Sequence, residues 1–274
     1  MPPFILISPA TRGLSLALIR HYLRTTSLPI FGTYRPHPPT SEHQRTAESV
    51  RKDILAPLRG TTPDVDPTRL HLLPLDFTSE RSIASAADVL ARALPEDAQS
   101  YIRVAFFLAG VLHPERQPAD LLLENITETF QLNVVSHLLL IKHFSRFLPP
   151  ASAAHGQQDD SALAKWVHVS ARVGSISDNA LGGWYSYRAS KAALNQVIRT
   201  YDLHLQAKKL PAISVGVHPG TVKTDLSKAF WNSVKPGKLF EPAYAAERLA
   251  EVVNGFGKAH RGKIWDWKGG EIKP

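Results

Sequence analysis

The sequence predicts a single α/β domain: a doubly wound, mainly parallel sheet of about seven strands with helices on both faces. Three observations predict it. Short apolar runs alternate with longer helical patterns along the 274 residues, which is the rhythm of βαβ units. Some runs, such as Val104-Ala105-Phe106-Phe107-Leu108, are apolar at every position, as strands covered on both faces require. The composition, 43% hydrophobic and 20% charged, is that of a folded globular chain, with no break in character to mark a second domain.

The elements follow in order. Residues 4–8 read as the first strand, being apolar but too short to span a bilayer and without a basic segment before them. A helix over 14–23, a strand over 29–34 and a polar helix over 41–55 come next, then a strand over 70–75 and a helix over 79–94. Strand 102–109 leads into a helix over 121–147. Strand 166–170, a helix over 184–206 and strand 213–218 complete the series. Residues 59–69 and 149–161, rich in Pro, Thr, Ser and Asp, read as inserted loops rather than linkers. The tail Gly262-Lys263-Ile264-Trp265-Asp266-Trp267 alternates like an edge strand.

Bulk properties exclude several classes. Cysteine is absent, so there is no disulfide, thiolate nucleophile or cysteine metal site, and no metal site is read elsewhere. The net charge of +8 is spread out, its longest basic run being Lys208-Lys209, which argues against nucleic acid as a partner. No segment reaches transmembrane length, so no membrane association and a cytoplasmic location are expected.

The chemistry centres on Tyr187-Arg188-Ala189-Ser190-Lys191. On a helix, residues four apart share a face, so a phenol and an ammonium border one cavity. A tyrosine titrates near 10 and is a poor base unless a fixed cation favours the phenolate. Lys191 supplies that cation, and Tyr187 then protonates a carbonyl oxygen or accepts a hydroxyl proton. By itself the spacing is common on solvated helices; its place on a long helix behind an apolar strand gives it weight.

Tyr187 to Lys191, Leu132-Asn133-Val134, Leu75-Asp76, Leu108-Ala109-Gly110 and His218-Pro219-Gly220-Thr221-Val222 occur in the order found in short-chain dehydrogenases/reductases. The chain resembles that family along nearly its whole length. Ser170-Ala171-Arg172-Val173-Gly174-Ser175-Ile176 and Gly182-Gly183-Trp184-Tyr185-Ser186 look like its C-factor-like and sniffer-like carbonyl reductase branch. The resemblance implies a Rossmann-type fold, with a nucleotide-binding half over about 1–110 and a catalytic and substrate half over about 111–274. It implies catalytic roles for Tyr187, Lys191, Asn133 and Ser170, with Asn133 holding a water that passes protons to Lys191. A helix-packing asparagine is the alternative there. Asp76, beside Phe77, would accept from the adenine amino group, or serve as a turn or cap residue. Ala109 and Gly110 would border the cofactor. Pro219, Gly220, Val222 and Thr224 would lie over the nicotinamide, and residues 225–240 would form a mobile lid. Family members commonly pair through the two long helices, which implies a homodimer or homotetramer.

Three departures stand out. In Ser8-Pro9-Ala10-Thr11-Arg12-Gly13-Leu14-Ser15 only the middle glycine of the family's nucleotide loop is present. Pro9 removes a donor and fixes φ where a glycine would turn, and Ser15 adds a side chain where helix meets sheet. Gly13, Leu14 and the helix N-terminus still offer amides to phosphate. The catalytic serine, three residues before Gly174 in the family's register, falls on Ala171. Ser170 is named as the carbonyl-orienting donor if a bend returns its hydroxyl to the cavity, since neighbours in a regular strand face opposite ways; Ser175 is a lesser substitute. Leu108 replaces the asparagine that commonly opens the strand-four motif.

Arg12 and Arg35 lie where NADP users of the family place cations, and no carboxylate closes strand two. NADP(H) is therefore expected over NAD(H), with a small carbonyl or alcohol substrate against Trp184, Tyr185 and Phe230. The competing reading is a degenerate member with weak or no cofactor binding that acts as a scaffold or signalling protein; Pro9, Ser15 and Ala171 favour it.

Overall fold

The computed structural model describes residues 2–36, 46–60, 64–95, 99–154, 160 and 163–274. An eight-stranded sheet runs in the order β10-β9-β6-β5-β4-β1-β2-β3. Its strands are β1 (Pro3–Ser8), β2 (Ile30–Tyr34), β3 (Leu70–Pro74), β4 (Tyr101–Phe107), β5 (Ala164–Val169), β6 (Ala212–His218), β9 (Ile264–Asp266) and β10 (Glu271–Ile272). All pair in parallel except β10, which returns antiparallel against β9. The doubly wound architecture is thus as expected, with one strand more than about seven. The tail pairs with β6 and is itself covered by β10, so the sheet ends one strand further out than the sequence suggested.

The all-apolar strands are explained by two cores. Along β1, Ile5 and Ile7 pack with helices α1 (Gly13–Thr25) and α7 (Pro242–Asn254) on one face. Phe4 and Leu6 pack on the other with α3 (Glu80–Ala93), α5 (Ser136–Phe144) and α6 (Tyr185–Ala207). Alternation puts successive side chains in opposite cores, so most positions of a central strand are apolar and the buried polar ones, such as Ser8 of β1, find partners inside.

Chain order reverses between β1 and β4. That switch point, at the carboxyl ends of the strands, is where doubly wound sheets leave a crevice.

Two elements differ from expectation. The helix anticipated over 121–147 is α4 (Leu123–Phe130), a π-helical turn over Gln131–Val135, α5 and a 3-10 turn over Ser145–Phe147. The lid region carries a 3-10 run over Asp225–Ser233, and its last residues, β8 (Leu239–Phe240), pair with β7 (Thr221–Val222) in a separate two-stranded sheet. Helix α2 (Ala47–Leu55) occupies the later part of the polar helix; residues 41–45 lie outside the described residues. Among the described residues no helix is long and apolar enough to cross a membrane.

Candidate active site

Helix α6 carries the pair at its first turns. Tyr187 (7% exposed) and Lys191 (3% exposed) both face inward, and the Lys191 ammonium lies 5.6 Å from the Tyr187 ring centroid. Lys191 Nζ donates to the Val169 carbonyl at 2.9 Å, at the carboxyl end of β5. Burial lowers the Lys191 pKa to about 8 and raises that of the Tyr187 phenol, because a low-dielectric site disfavours each charged form. Among the described residues the phenol oxygen has no hydrogen-bond partner, so its proton is free for a bound molecule.

Asn133 is fully buried at the centre of the π turn, a distortion frequent at functional sites. Its side chain clips the chain leaving β4: Oδ1 accepts from Val111 N–H at 2.8 Å, and Nδ2 donates to the Val111 carbonyl at 3.0 Å and to Ser190 Oγ at 2.9 Å. Ser190 Oγ donates in turn to the Tyr187 carbonyl at 2.8 Å. The Asn133 amide is therefore occupied by protein, and the packing role is filled whether or not a water is also held. A Cβ at Gly110 would stand 3.2 Å from Asn133 Oδ1 and 3.6 Å from Lys191 Nζ, which places Gly110, Asn133 and Lys191 around one point. Ala109 is buried beside it, and its carbonyl accepts from His137 Nε2 at 3.1 Å.

That last bond fixes a buried histidine pair. His137 Nδ1 and His168 Nδ1 are 2.9 Å apart. A carbonyl only accepts, so His137 carries its proton on Nε2, and His168 Nδ1–H donates to His137 Nδ1. Among the described residues, His168 Nε2 is left buried without a partner. Burial pushes His137 down to about 3 and His168 well below the usual imidazole range.

Ser170 lies one residue beyond β5. Its N–H donates to the Val217 carbonyl, and its hydroxyl donates to Asn195 Oδ1 at 2.6 Å. Asn195 is one turn beyond Lys191 on α6. Ser170 continues the alternation of Trp166 and His168, which puts its hydroxyl on the face of the sheet covered by α6, where its proton is held by Asn195. Ala171, in the family's serine register, is buried. Ser175 Oγ accepts from Asp178 N–H.

At the other end of the crevice, the loop after β1 is rebuilt around its missing glycines. The Ser8–Pro9 peptide is cis, the Ala10 N–H donates to the Thr33 carbonyl of β2 at 2.9 Å, and Ser15 Oγ donates to the Arg12 carbonyl at 2.7 Å. Gly13 takes φ +52°, and a Cβ there would meet the Thr224 side chain at 2.8 Å, so this glycine is required twice over. Helix α1 begins at Arg12 without a side-chain cap and has no acid in its first turn. Its leading amides and the positive end of its dipole therefore suit a phosphate. Leu14 turns its side chain into the core, leaving only its backbone for a ligand. Arg12 is exposed and has no ion pair to any described residue.

Arg35, 63% exposed, pairs through Nε with Asp76 Oδ2 at 3.2 Å. Asp76 Oδ1 accepts from both the amide and the hydroxyl of Thr78. Partial burial opposes its charged form, but these bonds and Arg35 outweigh it and hold the carboxyl below its usual range. Ser79, rather than Asp76, caps α3, while Phe77 packs against the second core. Pro219 and Gly220 turn out of β6, Val222 lies in β7, and Thr224 closes on Gly13. Trp184 stands edge-on to Tyr187, centroids 6.1 Å apart, and against Phe230 of the lid at 4.8 Å. Tyr185 is exposed.

The short chain dehydrogenase family profile matches residues 62–235. The chain belongs to that family. It is 32% identical over 207 residues to 1-hydroxy-2-glutathionyl-2-methyl-3-butene dehydrogenase of Rhodococcus sp. (strain AD45), covering 74% of this chain and 80% of that protein. It is 32% identical to C-signal of Myxococcus xanthus over 111 residues, 40% of this chain and 61% of C-signal. The match thus spans less than two thirds of that relative. Among solved structures, the fold of this short-chain dehydrogenase is similar to the carbonyl reductase Sniffer of D. melanogaster (TM-score 0.81, 22% identity, all of both chains). It is also similar to the NADPH-bound carbonyl reductase from chicken fatty liver (TM-score 0.79, 23% identity, 100% of this chain and 96% of that one).

Sequence reasoning did not single out Glu115 or the two histidines. Glu115 stands in a loop of mixed polarity and reads as solvated; His137, four residues after Asn133, shares its helix face, which is the one signal available beforehand.

Proposed function

We propose that this short-chain dehydrogenase is an NADP(H)-dependent oxidoreductase that interconverts a small carbonyl and its alcohol. The observation that carries the reading is the Tyr187 phenol, buried, without a hydrogen-bond partner among the described residues, and one helical turn from a buried ammonium. When bound, NADPH supplies the hydride. Tyr187 gives its phenolic proton to the substrate oxygen as the carbonyl carbon accepts that hydride, and Lys191 favours the phenolate left behind. The alcohol-oxidising direction reverses both transfers. Ser170 orients the carbonyl only by exchanging its bond to Asn195 for one to substrate.

The first half of the chain, together with the segment after β6, would hold the cofactor. The uncapped amides of α1, Gly13 and Leu14 would take the pyrophosphate. Arg12 and the free end of Arg35 would take the 2′-phosphate, which supports NADP(H) over NAD(H). Asp76 and Phe77 would border the adenine, and Ala109, Gly110, Pro219, Gly220, Val222 and Thr224 the nicotinamide side. Trp184 and Phe230 give the substrate space an aromatic wall. Exposed Leu122, Leu138 and Leu203 near or on α4, α5 and α6 support pairing of two copies through those helices.

The rival reading, a member that binds cofactor poorly and acts through protein contacts, is favoured by one observation: the Ser170 hydroxyl is committed to Asn195 while Ala171 fills the serine register. Titration with NADPH followed by cofactor fluorescence, then reduction of 1-phenyl-1,2-propanedione, separates the two. Saturable binding, weaker with NADH, and turnover of the dione are expected; no binding at millimolar NADPH sinks the enzyme reading.

A further inference from the structure

The loop leaving β4 carries a carboxylate that proton transfer does not use. Glu115 is 1% exposed, and among the described residues no cation pairs with it. Burying a carboxylate is costly unless its charge and lone pairs are met. Both oxygens are met by one residue 71 positions downstream: Oε2 accepts from Ser186 N–H at 2.7 Å and Oε1 from the Ser186 hydroxyl at 2.6 Å. The Glu115 carbonyl accepts from Trp184 N–H at 2.6 Å.

Two of these donors, the N–H groups of Trp184 and Ser186, are leading amides of α6, which have no partner within the helix. The positive end of the helix dipole offsets the charge. Trp184, at the N-cap position, offers no side-chain cap and sits at φ 50°, a left-handed conformation that a bulky residue adopts only when its surroundings hold it. Glu115 therefore acts as the missing cap from a distant loop.

Its placement matters because Tyr187 comes next. Ser186, immediately before the tyrosine, is held by Glu115; the Tyr187 carbonyl is held by Ser190, itself bonded to Asn133. Asn133 grips the same loop at Val111. One loop is thus fastened at two points around the start of α6, and the backbone that carries the Trp184 ring is held by the Glu115 carbonyl.

We propose that Glu115 is a positioning residue that sets the place of Tyr187 and Trp184 by capping α6. The proposal rests on the reduction assigned to Tyr187. It is tested on the full chain with E115A and E115Q, reading NADPH affinity, turnover of 1-phenyl-1,2-propanedione, and amide hydrogen exchange over residues 184–188. E115A is expected to lose about 10²-fold in kcat, the scale of a misplaced reacting group, with NADPH affinity unchanged and exchange accelerated. E115Q keeps an acceptor for Ser186 N–H and gives a donor to its hydroxyl, so it should recover most of that loss.

Wild-type kcat and exchange in E115A, or E115Q falling as far as E115A, overturns the proposal. If E115A does not fold, S186A, which removes one bond, is read instead: kcat lower by about tenfold, the worth of one net hydrogen bond, supports it, and unchanged kcat overturns it. If the wild-type chain does not reduce the dione, that counts against the reduction alone, and the exchange over 184–188 still decides the cap.

Discussion

At the scale of single residues, the proposed proton transfer from Tyr187 needs Lys191 charged. Its pKa is lowered to about 8 by burial, so reduction of a carbonyl should hold at neutral pH and fall as pH rises past about 8, when the neutral amine no longer favours the phenolate. A pH–rate profile checks this; a rate level to pH 10 contradicts it. Tyr187 and Lys191 were legible in the sequence because a spacing of four on one helix is a local fact. Asn133 was legible as a residue but not as a clip, since its partner Val111 lies 22 positions away. For Ser170, a hydroxyl turned away unless the chain bent was the expectation, whereas plain alternation after Trp166 and His168 aims it at Asn195 on α6 with no bend. Glu115 was illegible because only the folded chain brings it to Ser186.

Among the elements, α6 is held at both ends. Near its carboxyl end the fully buried Asp202 accepts from Arg261 Nε at 3.0 Å and from the Ser214 N–H of β6 at 3.1 Å, tying helix, sheet and the chain before β9 together. Removing the cation leaves a buried carboxylate without its charge partner, so Arg261→Ala should lower stability by about 3–5 kcal/mol. Urea denaturation measures it, and a loss below about 1 kcal/mol, the value of an exposed pair, would be inconsistent with this tie. The strands and most helices were readable from period alone. The π turn over Gln131–Val135 was not, because the apolar pattern of 121–147 runs through it unbroken and the bulge is set by the Asn133 clip. The paired dipeptides of β7 and β8 were too short to give a period of two.

Across the whole molecule, the site sits where the sheet order reverses and depends on polar groups buried beneath it. His137 and His168 are neutral in the fold, with pKa values lowered by burial from an ordinary 6.5, His137 to about 3. The unfolded chain binds protons there that the folded chain does not, so the stability they contribute is complete above about pH 6.5 and falls below it. Buried His218, lowered to about 4, acts in the same direction, and each such group gives a slope of up to about 1.4 kcal/mol per pH unit. Urea midpoints should drop between pH 6.5 and 5; midpoints unchanged to pH 5 would mean these histidines are protonated in the fold. The sequence conveyed the wound sheet and the shared inward face of Tyr187 and Lys191, while the rebuilt loop after β1 was seen only as missing glycines. On the proposed function, Tyr187 moves the proton while the rebuilt loop after β1 holds NADPH apart from it. Tyr187→Phe measures it most directly: NADPH affinity should match the wild type while turnover of the dione falls about 10²- to 10⁴-fold, and retained turnover would contradict it.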